Sequence, residues 1–339
     1  MLKFAIATLG PAGLLTGAAL YGGAWSVLAV VAVTAMVTAM DRLTRGIALP
    51  LARCSAARAL SVTLGALHFP LLALGVLALS GATGLAVWER LAAFLAFGVF
   101  FGQVSNSNAH ELIHASPRAA RRLGEWVYIS LLFGHHASAH RLVHHVHAAT
   151  NDDPNSARPG EGLWRFLPRA WIGSFRAGFR AESKRCKPGT LHPYARYVGG
   201  AGLTATTAFA LAGWAGVLSL VCLAGYATMQ LLMSDYVQHY GLRRRVDTTG
   251  RLEPVGPQHS WNAPHWYSAA LMLNAPRHSD HHIRPGRGFE ELEIDAATMP
   301  ILPHSLPVMA TIATIPPLWR RVMDRRAARW QGAGGSTPA

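Results

Sequence analysis

Six apolar stretches alternate with polar, arginine-rich segments along the chain, and this alternation predicts a bundle of membrane-spanning helices. The first two stretches are separated only by Gly22-Gly23, and the last two turn near Gly213-Trp214-Ala215-Gly216, so each pair predicts a helical hairpin. Each stretch is long enough to cross a hydrocarbon core of ~30 Å. They cover roughly residues 4–21, 24–40, 59–82, 86–108, 197–217 and 219–238.

The distribution of arginine predicts the orientation of these spans. Residues 41–58 carry Arg42, Arg45, Arg53 and Arg58, and Arg243-Arg244-Arg245 follows the last apolar stretch. The turns on the other side are nearly uncharged, with Glu89 and Arg90 marking one of them. Because cytoplasmic loops are enriched in Lys and Arg, six spans would place both termini in the cytoplasm. We therefore expect a multi-pass protein of the bacterial inner (cytoplasmic) membrane, beginning with an uncleaved span rather than a signal peptide.

Two polar regions complete the predicted domain plan. Residues 1–108 would be a four-helix membrane part, 109–196 a cytoplasmic histidine-rich region, 197–238 a membrane hairpin and 239–339 a second cytoplasmic histidine-rich region. The apolar segment 308–319 is too short to span and contains Pro316-Pro317. Residues 332–339 are expected to be disordered.

Composition supports a membrane protein and excludes some site chemistries. The chain has 339 residues, of which 51% are hydrophobic and 14% charged, against about 25% charged in soluble proteins. The net charge of +14 comes from basic residues that flank the apolar stretches rather than from one block, so nucleic-acid binding is not expected. The three cysteines form no CxxC pair, which argues against thiolate zinc and iron–sulfur sites.

Nine histidines in four segments carry the candidate chemistry. On a helix, residues i and i+4 lie on one face with Cβ atoms about 5–6 Å apart, close enough for two imidazoles to share a metal ion. Nine neutral nitrogens are too many for one ion, so the set predicts two ions with four or five ligands each. The nine residues are His110, His114, His140, His144, His145, His239, His278, His281 and His282.

Imidazole suits iron, copper, zinc and nickel, so residue type alone does not choose the metal. Read in isolation, His110-Glu-Leu-Ile-His114 is also a zinc metalloprotease signature with Glu111 as the general base, but this leaves seven histidines unexplained. A metal transporter would place its ligands near the bilayer midplane, whereas these histidines lie at one predicted membrane face. Oxygen activation on two irons fits the set better than either alternative.

Five carboxylates near these histidines are candidates for orienting the imidazoles from behind, as carboxylates commonly do in metal sites. Glu161 has an alternative partner in a nearby arginine, and the pair Asp152-Asp153 has an alternative role as a solvated turn. Among the other histidines, His135 and His136 are expected to be structural or supporting, and His68 needs a polar partner within its span. The five carboxylates are Glu111, Asp152, Asp153, Glu161 and Asp280.

The ordered motifs resemble those of the membrane-bound alkane hydroxylases, the alkane 1-monooxygenase family of the desaturase–hydroxylase superfamily. The matching stretches are HELIH at 110–114, HRLVHH at 140–145, DDPNSARPGE at 152–161, HYGLRR at 239–244, RHSDHH at 277–282 and PPLWRRVMD at 316–324. The resemblance implies an all-α integral membrane protein, with six transmembrane helices and a cytoplasmic histidine-rich di-iron cap in which all nine histidines are ligands.

The resemblance also implies an activity and partners. Such an enzyme hydroxylates the terminal methyl group of medium or long-chain alkanes, using O2 and electrons from rubredoxin, which a rubredoxin reductase supplies. Without cysteine pairs for a fused rubredoxin, the donor would be a separate protein. The basic inner face would attract an acidic donor of that kind.

Three departures from the family pattern leave the substrate open. Ala139 and Gln238 occupy positions where these enzymes usually carry Glu, and Ala275-Pro276 replaces Leu-Gln. Related hydroxylases of aromatic methyl groups, the xylene monooxygenase type, also lack those two acids. The same superfamily supports desaturation, so hydroxylation of an aromatic methyl group and fatty acid desaturation are the alternatives.

Overall fold

The computed structural model describes residues 1–44 and 54–332. Arg45 and Arg53 of the predicted cytoplasmic loop lie outside the described residues. So do residues 333–339 of the predicted disordered tail.

The described residues confirm the all-helical prediction. They contain no β-strand, only two isolated bridges, and two of the helical stretches continue through π-helical turns at Phe101–Ser105 and His140–His144. The α-helices in chain order are α1 (Leu2–Tyr21), α2 (Ala24–Val33), α3 (Ala35–Leu43), α4 (Ser55–Ser80), α5 (Val87–Phe100), α6 (Asn106–His114), α7 (Arg118–Ser130), α8 (His136–Ala139), α9 (His145–His147), α10 (Leu163–Arg185), α11 (Pro193–His239), α12 (Trp266–Leu271), α13 (His278–Ile283), α14 (Leu306–Ala313) and α15 (Pro316–Gly332).

Four helical stretches in the described chain are long and apolar enough to cross a membrane. They are Leu2–Tyr21, Ala56–Ser80, Val87–His114 and Pro193–His239, and α2 with α3 counts as a fifth if the bent pair is one span. Large apolar side chains on these helices, such as Ile6, Val27, Leu203 and Leu218, are exposed. An exposed apolar surface of this extent is what lipid contact requires.

The first predicted hairpin is present, but its second arm is not a single straight helix. Gly22 and Gly23 have φ angles of 61° and 54°, which only glycine adopts without strain, and they reverse the chain between α1 and α2. The predicted stretch 24–40 is then interrupted at Thr34, whose φ of −125° and ψ of −87° are not helical. α2 and α3 consequently meet at an angle of 47°.

The second predicted hairpin lies inside α11. Ala212 and Gly213 are non-helical, and Gly213, with φ 58° and ψ −149°, repeats the conformation of Gly22 (φ 61°, ψ −147°). The carbonyl oxygen of Ala208 lies directly beside Gly216, although eight helical residues would separate two such positions by ~12 Å. The chain therefore turns back at Gly213, within the turn that the sequence predicted.

The span that leads to the first histidines is longer than predicted. α5 continues through the π-helical turn into α6, so one helical stretch runs from Val87 to His114 rather than ending near residue 108. His68 of α4 packs beside it and has the polar partners that the sequence required. Its ring nitrogens lie 3.0 Å from Ser105 Oγ and 2.9 Å from Ser130 Oγ.

The C-terminal region folds back onto the ends of the spans that carry the histidines. Asp41 Oδ1 at the end of α3 accepts hydrogen bonds from the backbone N–H groups of Tyr267 and Ser268, at 3.0 and 2.9 Å. These N–H groups belong to the first turn of α12. The N–H groups of a first turn have no acceptor within their own helix. α14 packs against α11, and α15 begins at Pro316, so the proline pair starts a new helix after α14. This arrangement fixes the segment that carries His278–His282.

The reversal at Gly213 provides a test of the second hairpin. Replacing Gly213 with Ala should destabilise the protein by ~1–3 kcal/mol, because φ 58° with ψ −149° is accessible essentially to glycine alone. No atom would clash with the new Cβ, so the loss would come from backbone strain. The measurement is the free energy of unfolding of the detergent-solubilised protein.

Gly225→Ala is the matched control for this substitution. Gly225 lies in the same helix, has no positive φ and also has open space at its Cβ. Alanine is preferred over glycine in a helix, so this variant should be neutral or more stable. Equal stability of the two variants would contradict the reversal at Gly213.

Candidate metal centre

The structure brings all nine predicted histidines together in two adjacent groups. His110, His114, His140, His145 and His281 form the five-histidine group, and His144, His239, His278 and His282 form the four-histidine group. Within each group, one nitrogen of every ring lies within 4.8 Å of those of the others. The 5 + 4 division corresponds to the four or five ligands per ion expected from the sequence.

The π-helical turn at His140–His144 decides which histidine joins which group. The backbone N–H of His145 bonds to the carbonyl of His140, an i to i+5 contact that widens this turn. His140 and His145 therefore share the five-histidine group, with their Nε2 atoms 2.9 Å apart, while His144 joins the other group. The i, i+4 spacing expected from the sequence holds for His110 with His114 and for His278 with His282.

The distances between ring nitrogens fit a shared metal ion. Nε2 of His140 lies 2.8 Å from Nε2 of His110, and Nε2 of His278 lies 3.0 Å from that of His239. Adjacent ligands that bind one ion at ~2.1 Å stand about this far apart. The buried Nε2 atoms of His114 and His144 have no hydrogen-bond partner among the described residues. Since a buried polar atom without a partner is costly, the donor set fits two ions of a metal that accepts imidazole.

Burial keeps most of these rings neutral, which is the form that binds metal. It holds the pKa values of His140, His145, His278, His281 and His282 well below the usual histidine range, and the neighbouring imidazoles lower them further. The four-histidine group is entirely buried, whereas His110, His114 and His145 of the five-histidine group are only partly buried.

Asp153 contacts the ring nitrogen of His144 that faces away from the histidine group, as the sequence predicted for one of the carboxylates. Its Oδ2 lies 2.8 Å from Nδ1 of His144 and also accepts a bond from the hydroxyl of Ser156 at 2.6 Å. Burial lowers the pKa of His144, but the Asp153 carboxylate outweighs it and raises that pKa overall. The same pairing lowers the pKa of Asp153. Since Nδ1 is occupied, Nε2 is the nitrogen of His144 that points into its group.

The structure gives the other four predicted carboxylates different partners. Asp152 is exposed to solvent beside Asp153, and Glu161 pairs with Arg169 at 2.7 Å, which is the alternative that the sequence left open. Asp280 is fully buried but pairs with Arg284 and Arg287. Glu111 accepts a hydrogen bond from the backbone of Phe289. Glu111, Glu161 and Asp280 therefore hold the chain around the centre, whereas Asp152 contributes no such contact.

Asp235 and Asn155 support the centre but were not identified from the sequence. The amide of Asn155 donates to Asp235 Oδ2 at 2.6 Å, and the backbone N–H of Asn155 donates to Asp153 Oδ1 at 3.0 Å. The chain of contacts therefore runs from the end of α11 to His144. An acidic residue four positions before His239, at the end of an apolar span, was the available signal.

A cavity of about 690 Å³ leads to both histidine groups. Its wall is formed by the α2–α3 junction, α5 with α6, the second arm of α11 and α14, and it includes His110 and His140 of one group and His278 of the other. The helix break at Thr34 lies on this wall. The volume is within the range of sites for small organic ligands.

Comparisons with known proteins match this architecture. The model of the family described as "Fatty acid desaturase" matches residues 86–312. Alkane 1-monooxygenase 2 of Alcanivorax borkumensis is 32% identical over 249 residues, covering 72% of this chain and 65% of that protein. Alkane 1-monooxygenase 2 of Pseudomonas aeruginosa is 33% identical over 241 residues, 69% of this chain and 64% of that protein.

A more distant match bears on the alternative substrate. The xylene/toluene monooxygenase hydroxylase component XylM of Pseudomonas putida is 27% identical over 223 residues, 62% of this chain and 57% of that protein. The chain thus spans less than two thirds of the length of these relatives.

The pairing of Asp153 with His144 predicts a pH-dependent loss of stability. Asp153→Asn should reduce the free energy of unfolding of the metal-free protein at pH 7 by roughly 1–3 kcal/mol, because a buried charged partner is removed. The pKa of Asp153 is lowered in the folded state, so its stabilisation is present above the ordinary value of 3.8 and is lost as the pH falls through the folded-state value. The deficit should therefore shrink at pH 3.

Asp152→Asn is the matched control, since Asp152 is the exposed neighbour of Asp153. It should leave the unfolding free energy nearly unchanged at both pH values. A deficit for Asp153→Asn that is the same at pH 7 and pH 3 would contradict the ionised pairing.

Proposed function

Because the chain belongs to the fatty acid desaturase family, we propose that it is a membrane di-iron monooxygenase that hydroxylates the terminal methyl group of hydrocarbons. One oxygen atom of O2 enters the new C–O bond and the other leaves as water, with two electrons from a donor protein and two protons. The substrates would be medium or long-chain alkanes. This activity is the one that the alkane 1-monooxygenases similar to this chain are named for.

One observation carries this proposal, namely that nine histidines from four segments form two adjacent groups at the end of one cavity. His110 and His114 are joined by three more histidines in the five-histidine group. A protease site of the HExxH type needs only three protein ligands for zinc. Both groups also lie at the end of the spans, which does not favour a transport site at the bilayer midplane.

Two iron ions bound by the nine histidines would supply the redox chemistry for activating O2, which amino-acid side chains lack. The chain itself would bind and orient the substrate. The apolar wall, with Val99, Leu95 and Met229 among its members, would exclude water and hold the hydrocarbon against the histidine groups. Asp153 would hold His144 in one tautomer and orientation.

The proposed membrane placement has six spans, with both termini and the histidine groups in the cytoplasm of a bacterium. Counting α1, α2 with α3, α4, α5 with α6 and the two arms of α11 gives these six. Exposed aromatic side chains at the hairpin turns, Tyr21, Trp25 and Trp214, support an outer interface there. The domain boundaries near residues 108, 196 and 238 stay predictions.

The proposed electron donor is rubredoxin, served by its reductase. Two observations support an acidic donor on the cytoplasmic face. The net charge of the chain is +14, and Arg141 is exposed beside His140 of the five-histidine group. Charge complementarity of this kind increases the rate of association with an acidic partner.

Hydroxylation of aromatic methyl groups is the second candidate. The match to the xylene/toluene hydroxylase component favours it, as does Gln238, which lies in the cavity wall. Fatty acid desaturation is the alternative suggested by the family as a whole. It differs only in the removal of a second hydrogen from the substrate.

Single substitutions should remove one metal ion at a time if each histidine group holds one. We expect His281→Ala and His282→Ala to lower the iron content by about one ion per chain, each from its own group. The measurement is iron per chain by elemental analysis after purification. His147→Ala is the control, because His147 lies beside His145 but in neither group. Full iron in His281→Ala, or equal loss in His147→Ala, would refute the ligand assignment.

The substrate assignment is tested by incubating octane and p-xylene separately with the purified protein, rubredoxin, its reductase and ¹⁸O2. We expect octane to give 1-octanol that carries one ¹⁸O atom, faster than p-xylene gives its benzylic alcohol. A faster reaction of p-xylene would select the second candidate. Alkene formation would select desaturation, and the absence of labelled product from either substrate would reject the proposed activity.

A further inference from the structure

Three amide side chains in the cavity wall have fixed orientations. The amide NH2 groups of Asn106, Gln230 and Gln238 donate to the backbone carbonyls of Ala227, Gly98 and Ala275, at 2.9, 2.8 and 3.1 Å. Only the NH2 end of an amide can donate to a carbonyl. Each side chain is therefore anchored by its nitrogen, which leaves its oxygen as an acceptor.

These oxygens have no donor in the part of the chain that the structure describes, and Asp235 adds a fourth acceptor. Its Oδ2 is taken by Asn155, but no described group donates to its Oδ1. All four residues line the cavity, and Asn106, Asp235 and Gln238 are only 5%, 6% and 3% exposed. Of the six Ser and Thr hydroxyls of the same wall, those of Thr34, Thr311 and Thr314 donate to carbonyls of their own helices. The other three hydroxyls belong to Thr38, Ser107 and Ser234.

The acceptors lie at different distances from the histidine groups, and Gln238 directly precedes His239. Asn106 and Asp235 each lie four residues before a histidine of the centre, ~6 Å along the helix, and Gln230 lies nine residues before His239, ~13 Å. A plain alkane offers nothing to these oxygens and displaces any water that serves them. A buried acceptor left without a donor weakens binding.

We propose that the cavity selects hydrocarbon chains that carry a hydrogen-bond donor, a hydroxyl or an amine group, over plain alkanes of the same length. This inference rests on the proposed function for its reaction. A medium-chain primary alcohol would bind with its hydroxyl at Gln230, the acceptor farthest from the histidine groups, and its methyl end at those groups. Hydroxylation of that methyl group yields a diol and water, with the same O2, two electrons and two protons.

The experiment compares the binding of three linear ligands of nine heavy atoms by the full chain in nanodiscs, without an electron donor. They are 1-octanol, its isomer 1-methoxyheptane, which accepts but cannot donate, and n-nonane. After correction for partition into empty nanodiscs, 1-octanol should bind roughly 2- to 10-fold tighter than 1-methoxyheptane, the effect of about one net hydrogen bond.

A variant then assigns the effect to the cavity. Gln230→Met keeps the length of the side chain and removes the acceptor, so it should reduce the preference for the alcohol by weakening 1-octanol binding and strengthening n-nonane binding. Gln331→Met is the matched control, because Gln331 also donates to a backbone carbonyl, that of Arg243, but lies on α15 outside the cavity wall.

Two outcomes overturn the inference. Equal binding of the alcohol and the ether by the wild-type protein would mean that water alone serves these oxygens, and this comparison does not depend on the folding of any variant. A uniform loss of all three ligands in Gln230→Met would assign a packing role to that residue. Oxygen-dependent hydroxylation of n-nonane, measured separately with iron and donor present, reports on the proposed function independently of the binding preference.

Discussion

The structure depends on holding nine imidazole rings, most of them unprotonated, against one another in a buried space. Facing lone pairs repel, and burial prevents relief by protonation, as the lowered pKa values of His140 and His281 indicate. A shared cation turns this repulsion into attraction, because each nitrogen then has a partner. The helix ends, the π-helical turn and the contact between Asp153 and His144 all serve to keep these rings converging.

The sequence predicted the histidine set because helical spacing is a local property. His110 with His114 and His278 with His282 could be paired by counting residues, and the structure places both pairs as expected. In the structure His140 shares a group with His145 rather than with His144, its i+4 neighbour, and this could not be predicted. A π-helical turn arises from the contacts made around it, and the letters HRLVHH fit an ordinary α-helix equally well.

The contacts of the carboxylates and the break in the second predicted span were likewise not predictable from local spacing. Asp152 and Asp153 are chemically identical neighbours, and only the path of the loop decides that Asp153 is the one that reaches His144. Asp280 lies inside a histidine motif but pairs with Arg284 and Arg287, four and seven residues further along the chain, and spacing alone does not decide whether such a carboxylate turns to an arginine or to an imidazole. The glycine turns were predictable from residue type, whereas the break at Thr34 was not, since apolar β-branched runs also form straight helices.

The wall of the cavity carries hydrogen-bond acceptors that the hydropathy of the sequence does not reveal. Asn106 and Gln238 resemble ordinary polar residues at the ends of apolar spans, but their anchored amides leave oxygens without a donor, among the described residues, in the cavity wall. A hydrocarbon site with this wall is apolar in most of its surface and polar at a few fixed points. Such fixed points determine ligand orientation and selectivity more than the apolar area does.

The central claim is that these histidines hold two iron ions. The direct measurement is the identity and number of metal ions in the full-length protein, purified in detergent without added metal and quantified against protein by amino-acid analysis. The account predicts two irons per chain. One zinc ion and no iron would contradict it, and would instead favour a site of the HExxH type at His110 and His114.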